Sequence, residues 1–490
     1  MFERKGCGMK VLLITTPYKS KAYRVLNKRI PATLPFLGIA YVAAVLEREG
    51  IPVRLLDAWG RNLGFEDIRK EIAAFRPDII GITCTASAFG VSVELARKIK
   101  DCAKDITIVL GGPYVSAIPE ETLREIPWVD VVVIGEGEHT MLELAQANPL
   151  HAIKGIAYRS GGRILVNEPR PLIYNLDALP FPARNFYRMA DYRRPFYEFH
   201  GTPFASIVTS RGCPFKCRFC ASHTVAGREI RLRSIPNIIK EIDMLLERYK
   251  VRFISIADDA PVFTMDEARL SEFCRAIKGK GFLWGAKARA DSINENNLRM
   301  LRDAGCRILE IGCESGNPGI LEGWEKGVSV TQIKNAFRLM NKFGINSVAM
   351  FMLGAPAETK ETVLGTIRFA KELGATYCIA RILYPYPGTE AYADLKAQKM
   401  LHSKSWDEIR YPQSGDSILV HPNSTTSELC LPNLTFNQLL RLQRRMHRDF
   451  YLNKRYIFST LSRLKDWHAV KVYGRLLIGV VRFWFRWGLQ

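Results

Sequence analysis

Three cysteines in the stretch RGCPFKCRFC, Cys213, Cys217 and Cys220, stand at C-x3-C-x2-C spacing. Thiolates are natural ligands of iron-sulfur clusters, and three of them around a four-iron cube leave one iron open to an exogenous ligand. The competing chemistry is zinc, because His223 lies three residues beyond Cys220 and would complete a three-cysteine, one-histidine set. The remaining cysteines, including Cys274, Cys306, Cys313, Cys378 and Cys430, have no partner at ligand spacing and read as small buried hydrophobes.

The cluster must be held by something, and the sequence around it alternates strand and helix patterns. FASIVTSR, FISIADD, LWGAKARA, RILEIGCE, NSVAMFMLG and YCIARILYP are six strand-like runs between Phe204 and Pro385, each separated from the next by a helix-patterned segment. This predicts a partial TIM-type (β/α)6 barrel over residues 201–400, with the cysteines just after its first strand. A zinc knuckle has no need of six following βα units. Chemistry in such a barrel sits at the carboxyl ends of the strands.

Upstream, VLLIT (11–15), VRLLDA (53–58), IIGITC (79–84), TIVLGG (107–112) and VDVVVIG (129–135) alternate with amphipathic helical segments. Five such strands predict a doubly wound α/β (flavodoxin or Rossmann-like) domain over residues 9–149, with ligands beyond the strand ends. Gly111-Gly112 and the turn Gly135-Glu136-Gly137 would let the backbone approach a flat ligand, and Thr83, Thr85 and Ser87 offer hydroxyls there. Residues 150–200, rich in Pro, Gly and aromatics, read as a small hairpin and connector.

Composition narrows the class. A chain of 490 residues, 47% hydrophobic and 24% charged, is neither disordered nor fibrous. It contains no apolar run long enough to span a bilayer and starts with no export signal, so a cytoplasmic protein with reduced thiols is expected. The 70 Lys and Arg against 49 Asp and Glu give +21, yet residues 441–490 alone hold 12 basic and 2 acidic residues, +10 of the excess.

That basic C-terminal region, within residues 401–490, ends in VKVYGRLLIGVVRFWFRWGLQ. Lys471, Arg475, Arg482 and Arg486 fall within about 60 degrees on a helical wheel, opposite an apolar, aromatic face. The pattern suits a helix lying on an anionic membrane surface at the inner face of the cell membrane, or one packed on the barrel with a solvated stripe. Nucleic acid is not an expected partner, because the charge is concentrated in this tail.

The cysteine motif, with Phe219 before its last cysteine, resembles the radical S-adenosylmethionine (SAM) superfamily. That resemblance implies a [4Fe-4S] cluster whose open iron is chelated by SAM, with an electron from the cluster cleaving SAM to a deoxyadenosyl radical. It further implies SAM contacts at Phe219, at Asp258 and Asp259 after the second strand, at Glu314 in GCESG and at Gly354 in FMLGAPAET. Arg289 and Arg381 share a face by strand alternation and read either as SAM contacts or as ordinary ion pairs. YPYPGTEAY (384–392) resembles the stretch that closes such barrels.

The N-terminal region is similar to the cobalamin-binding domain fused to many radical SAM enzymes, which implies that the loops named above hold the corrin. The loop after the first strand, TPYKSKAYRV, has no histidine, so cobalamin is expected base-off without a protein imidazole. The stretch RLQRRMHRDFYLNKRYIFSTLSRL resembles the region after the barrel in anaerobic magnesium-protoporphyrin monomethyl ester cyclase-like proteins.

Together these readings imply an oxygen-sensitive enzyme that functionalises an unactivated C-H bond, by C-methylation of a hydrophobic small molecule such as a lipid or tetrapyrrole. A flavodoxin or ferredoxin is the implied reductant. The alternatives are a cyclase acting on a tetrapyrrole or isoprenoid lipid and, in another class, a transfer-RNA-modifying enzyme. The latter would need a β-rich RNA module that the sequence does not display.

Overall fold

The computed structural model describes residues 9–16, 34–192, 203–261, 265–401 and 429–461. The basic stripe at 471–486 and most of the TPYKSKAYRV loop lie outside these residues. No helix among the described residues is long and apolar enough to cross a membrane.

The first sheet contains β1 (Val11–Ile14), β2 (Val53–Leu56), β3 (Ile79–Thr83), β4 (Thr107–Gly111), β5 (Val131–Val133), β6 (Ile156–Ser160) and β7 (Arg163–Val166). Its order is β2-β1-β3-β4-β5-β6-β7, parallel from β2 to β5. Alternate residues of β1 supply two different cores, Val11 and Leu13 on one face and Leu12 and Ile14 on the other. A strand covered by helices on both faces therefore reads as a continuous apolar run, which is what made these five strands visible in the sequence.

The hairpin β6–β7, read as part of a connector, instead extends this sheet by pairing antiparallel to β5. Ile156, Ala157 and Tyr158 are buried, so apolar side chains on both faces draw it into the domain. The following segment also packs closely. Ala183 donates its amide to Ala40, and the Tyr192 hydroxyl donates to the buried carboxylate of Asp57 at 2.5 Å.

The second sheet is built from β8 (Phe204–Ile207), β11 (Phe253–Ile256), β12 (Leu283–Ala288), β13 (Cys306–Glu314), β14 (Asn346–Leu353) and β15 (Tyr377–Ile382), all parallel in that order. Between β8 and β11, the short β9 (Ser210–Arg211) and β10 (Arg231–Leu232) form a separate antiparallel ribbon. This matches the expected partial barrel. Phe204, Phe253, Ile308, Val348 and Tyr377 plug the face turned away from the helices. Further along the same face, by strand alternation, come Lys287, Gly312, Met352 and Arg381, where Lys287 and Arg381 are exposed.

An open barrel leaves sheet edges that must be covered. Helix Phe436–Tyr451 covers β15: the amide of Ala380 donates to His447 Nε2 at 3.1 Å, Gln443 donates to the Ala380 carbonyl at 2.7 Å, and Tyr451 bonds both backbone groups of Cys378.

His447 accepts through Nε2, so its ring must be neutral there, and burial lowers its pKa from 6.5 to about 4. The unfolded chain takes up this proton near pH 6.5 while the folded chain resists until about pH 4. Stability supplied by this group is thus present above pH 6.5 and lost as pH falls towards 4, a change of about 3 kcal/mol. His447→Gln should show a flatter stability profile than wild type over that window in urea titrations at stepped pH. An identical acid dependence in the two proteins would remove His447 from the account.

Candidate functional site

The cysteine loop begins where β9 ends. Gly212 turns with φ +88, and a Cβ there would lie 1.9 Å from the Glu229 carbonyl oxygen, so only glycine fits. Cys213, next in the chain, is buried and donates its amide to Gly227 at 3.2 Å, while Cys217 and Cys220 are half-buried. A tight turn joins the last two, with the Cys220 amide bonded to the Cys217 carbonyl at 3.0 Å.

Several elements grip this loop from the barrel side. Arg218 pairs with Asp394 and with Glu390 at 3.3 Å, and its amide donates to Trp324 at 3.2 Å. The Phe219 ring stands edge-on to Trp324 at 5.6 Å, so Phe219 supports the loop through packing. The guanidinium of Arg289 lies 3.7 Å from the Phe215 ring centroid, a close cation-π contact.

All three thiols are free of disulfides. Burial pushes the pKa values of Cys213 and Cys217 up, and for Cys217 the nearby Lys326 and Arg289 act in the opposite sense. His223 directs Nδ1 at the Cys220 carbonyl, 3.1 Å away. Among the described residues, no three His, Cys, Asp or Glu side chains gather as the ligand set of a single ion. Three thiols spread along one loop, with two cations beside the middle one, fit the separate corners of an iron-sulfur cube.

The two aspartates at the end of β11 have different places. Asp258 is buried and fully occupied: it accepts from the Thr209 amide at 2.6 Å, from the Thr209 hydroxyl and from the Ser210 hydroxyl at 2.8 Å. It braces the approach to the cysteine loop and has little left for a ligand. Asp259 is exposed, within the electrostatic reach of Lys287, Arg211 and Cys213.

Glu314 ends β13 at φ +57, just past a bulge at Cys313, and pairs with Lys326 at 2.8 Å. Gly312 makes room for that pair, since a Cβ there would meet Glu314 Oε1 at 2.5 Å and Lys326 Nζ at 2.8 Å. The glycines of GCESG are thus explained by packing, the second because a Cβ at Gly316 would strike Phe369 at 2.7 Å. Glu314 and Lys326 lie beside Cys217, where they can meet a charged ligand of the cluster.

Arg289 follows the ordinary ion-pair reading: it is held by Asp291 at 2.9 Å and by the carbonyls of Lys326 and Gly327 at 3.0 and 3.3 Å. Arg381, by contrast, is exposed on the barrel's inner face. Gly354 has φ +100, and Leu383, Leu429 and Leu439 cover the side on which a Cβ would stand.

The amides of Gly354 and Ala355 donate to the buried Glu358, at 2.5 and 3.1 Å. Burial raises the pKa of Glu358 from 4.5 to about 7, the two amides opposing it. The folded chain therefore keeps this proton when the unfolded chain has released it, and stability from this group falls as pH rises from 4.5 to about 7. The loss is about 3 kcal/mol. Glu358→Gln keeps the acceptor and removes the ionisation, so it should be more stable than wild type at pH 8 and not at pH 4. Equal differences at both values in denaturant titrations would rule this out.

In the first domain, Gly112 (φ +115) is required by the fold, since a Cβ would lie 2.6 Å from the Cys84 carbonyl oxygen. At Gly111 and Gly137 a Cβ would meet only ordinary contacts, and at Gly135 (φ +78) only the Val225 carbonyl at 3.9 Å. These half-buried positions, with the half-buried Thr83 and Thr85, form a ledge of little side-chain bulk at the strand ends, which fits a flat ligand. The Ser87 side chain lies outside the described part of the structure.

Glu136, expected at that ledge, is instead buried in an ion cluster with Arg211 at 2.7 Å and Arg231 at 2.8 Å, and it accepts from the Ile173 amide. The reason is charge: two buried guanidiniums require a carboxylate. The ledge faces the cysteine loop. A Cβ on Gly388 would touch Ala117 at 2.9 Å and Thr224 at 3.0 Å, so helix Pro113–Ala117 and helix His223–Ala226 meet there.

Lys326, beside Cys217, and Lys287 and Arg211, beside Asp259, were not legible as site residues. Only Arg211 carried a signal, its place two residues before Cys213.

The B12 binding domain family matches residues 23–145 and the radical SAM superfamily matches residues 207–370. An uncharacterized methyltransferase of Pyrococcus horikoshii is 34% identical over 484 residues, covering 98% of this chain and 99% of its own. The anaerobic magnesium-protoporphyrin IX monomethyl ester cyclase of Rubrivivax gelatinosus is 29% identical over 400 residues, 79% of this chain and 70% of its own. Among solved structures, the radical SAM methyltransferase TsrM from Kitasatospora setae superposes with a TM-score of 0.65 at 20% identity, over 79% of this chain and 76% of that one. That last likeness concerns the fold.

Proposed function

The chain belongs to the family of radical SAM enzymes that carry an N-terminal B12-binding domain, and from that premise we propose that it transfers a methyl group to an unactivated carbon of a hydrophobic small molecule. When bound, the [4Fe-4S] cluster supplies the electron that cleaves SAM and cobalamin supplies the methyl carrier. Cys213, Cys217 and Cys220 hold the cluster. Glu314 and Lys326 orient the charged end of SAM, and Asp259 is the carboxylate free to meet its amino group.

One observation carries this reading: the strand-end ledge of the first domain faces the helix that directly follows the three cysteines. Methyl transfer through cobalt requires the two cofactors to share one substrate, and this arrangement supports that reading. The protein's own part is to place the reacting atoms and exclude water.

A hydrophobic substrate, lipid or tetrapyrrole, is supported by the cyclase relative, which is named for a porphyrin ester, and by the apolar Met350, Met352 and Ile379 on the barrel's inner face. A flavodoxin or ferredoxin would serve as reductant. The basic, aromatic sequence at 471–490 supports reversible placement on an anionic membrane; a deletion of those residues that leaves membrane fractionation unchanged would count against it.

The test is anaerobic purification with cobalamin supplied, quantification of iron and corrinoid, and incubation of methyl-labelled SAM with isoprenoid lipids and porphyrin esters. A labelled product establishes methylation. An unlabelled, ring-closed or oxidised product establishes the cyclase alternative.

A further inference from the structure

Loop 212–226 carries all three cysteines, and both of its ends are held by arginines that converge on one carboxylate of the other domain. Arg211 stands immediately before the loop, 13% exposed, and gives one nitrogen to Glu136 at 2.7 Å and another to Glu138 at 2.5 Å. Its guanidinium also lies 5.1 Å from the Tyr41 ring centroid. Arg231 pairs with Glu136 at 2.8 Å and donates its other terminal nitrogen to the Ala226 carbonyl, at the loop's far end, at 2.7 Å. Arg231 and Arg211 are themselves register partners across the β9–β10 ribbon.

We propose that Glu136 is a positioning residue for the cysteine loop, a latch that sets the geometry of the iron-sulfur site from within the B12-binding domain. The inference rests on the reading that Cys213, Cys217 and Cys220 hold the cluster. Glu136 closes the neck of the loop from both sides, and Glu138 doubles the hold on one side. Because Gly212 turns tightly against the Glu229 carbonyl, a shift at Arg211 passes directly to Cys213. A bidentate arginine between two carboxylates also fixes orientation as well as distance. The first domain thereby acts on the cluster site through its protein contacts.

The holoenzyme is compared as wild type, Glu136→Gln, Glu136→Asp, Glu138→Gln and Arg211→Lys, by peptide-resolved hydrogen exchange and by EPR of the reduced cluster with and without SAM. Glu136→Gln should raise exchange in residues 212–227 by about tenfold or more, because two buried guanidiniums lose their charged partner. Strands 283–288 and 346–353 should stay as in wild type. The SAM-dependent change in the EPR spectrum should be reduced in Glu136→Gln and regained in part by Glu136→Asp, and Glu138→Gln should have the smaller effect. Arg211→Lys, which cannot bridge both carboxylates, should reproduce the local effect if Glu136→Gln does not fold.

Unchanged exchange in 212–227 together with an unchanged SAM response overturns the proposal, as does a rise spread evenly over the barrel. If wild type holds no iron, the cluster reading fails on its own, and hydrogen exchange alone decides the latch.

Discussion

Alanine in place of Cys213, Cys217 or Cys220 should lower reductive SAM cleavage by more than about a hundredfold, beyond what loss of an outer-shell partner of a metal site costs. A cube held at three corners has no spare thiolate in this loop. Cys84, Cys274 and Cys306 cannot substitute, because they are buried in the cores, where burial pushes their pKa values up to about 12. Serine should fail as completely as alanine, because an alcohol is a poor ligand for iron in a sulfide cluster. The measurement is iron per chain and deoxyadenosine release with a chemical reductant. Near-normal iron and cleavage in any one alanine variant would move the cluster elsewhere and sink the assignment.

The largest stability effect is expected at Glu241. Its carboxylate is fully buried between Arg184 at 2.6 Å and Arg233 at 2.5 Å, both also buried. Arg184 comes from the segment after the β6–β7 hairpin and donates to the Ser206 carbonyl of β8 at 2.6 Å. Arg233 follows β10 and donates to the Val208 carbonyl at 2.7 Å. Glu241 therefore ties the connector to the first strand of the barrel.

Glu241→Ala leaves two guanidiniums unpaired in a dry interior and should cost about 3–5 kcal/mol, the usual penalty for breaking a buried pair from one side. Glu241→Gln keeps the acceptor and the shape, and should cost less. Urea or guanidinium unfolding of the three proteins decides it. A loss under about 1 kcal/mol for alanine would mean that water reaches these arginines in the variant.

Some of this was legible from residue order alone. The parallel strands of the first sheet announced themselves because strands covered by helices on both faces are apolar along their length, and those of the second because strand-like runs alternate with helix-patterned segments. The cysteine motif was equally plain, since its ligands lie within eight residues and need no tertiary contact to be recognised. Local pattern thus determined the two α/β units and their order, and the resemblance carried by the motifs implied the type of cofactor chemistry.

Tertiary structure decided how individual polar residues are used. Asp258 and Asp259 are adjacent in sequence, yet one is consumed by Thr209 and Ser210 while the other stays open. Glu136 stands in a glycine-rich turn that suggests a ligand, but Arg211, 75 residues away, and Arg231, 95 residues away, claim it. The hairpin β6–β7 and helix Phe436–Tyr451 likewise take their places from the sheet edges they cover. The physical reason is the same in each case. Apolar periodicity is a local property, whereas a buried charge or an open strand edge is satisfied by whichever distant partner the fold brings to it.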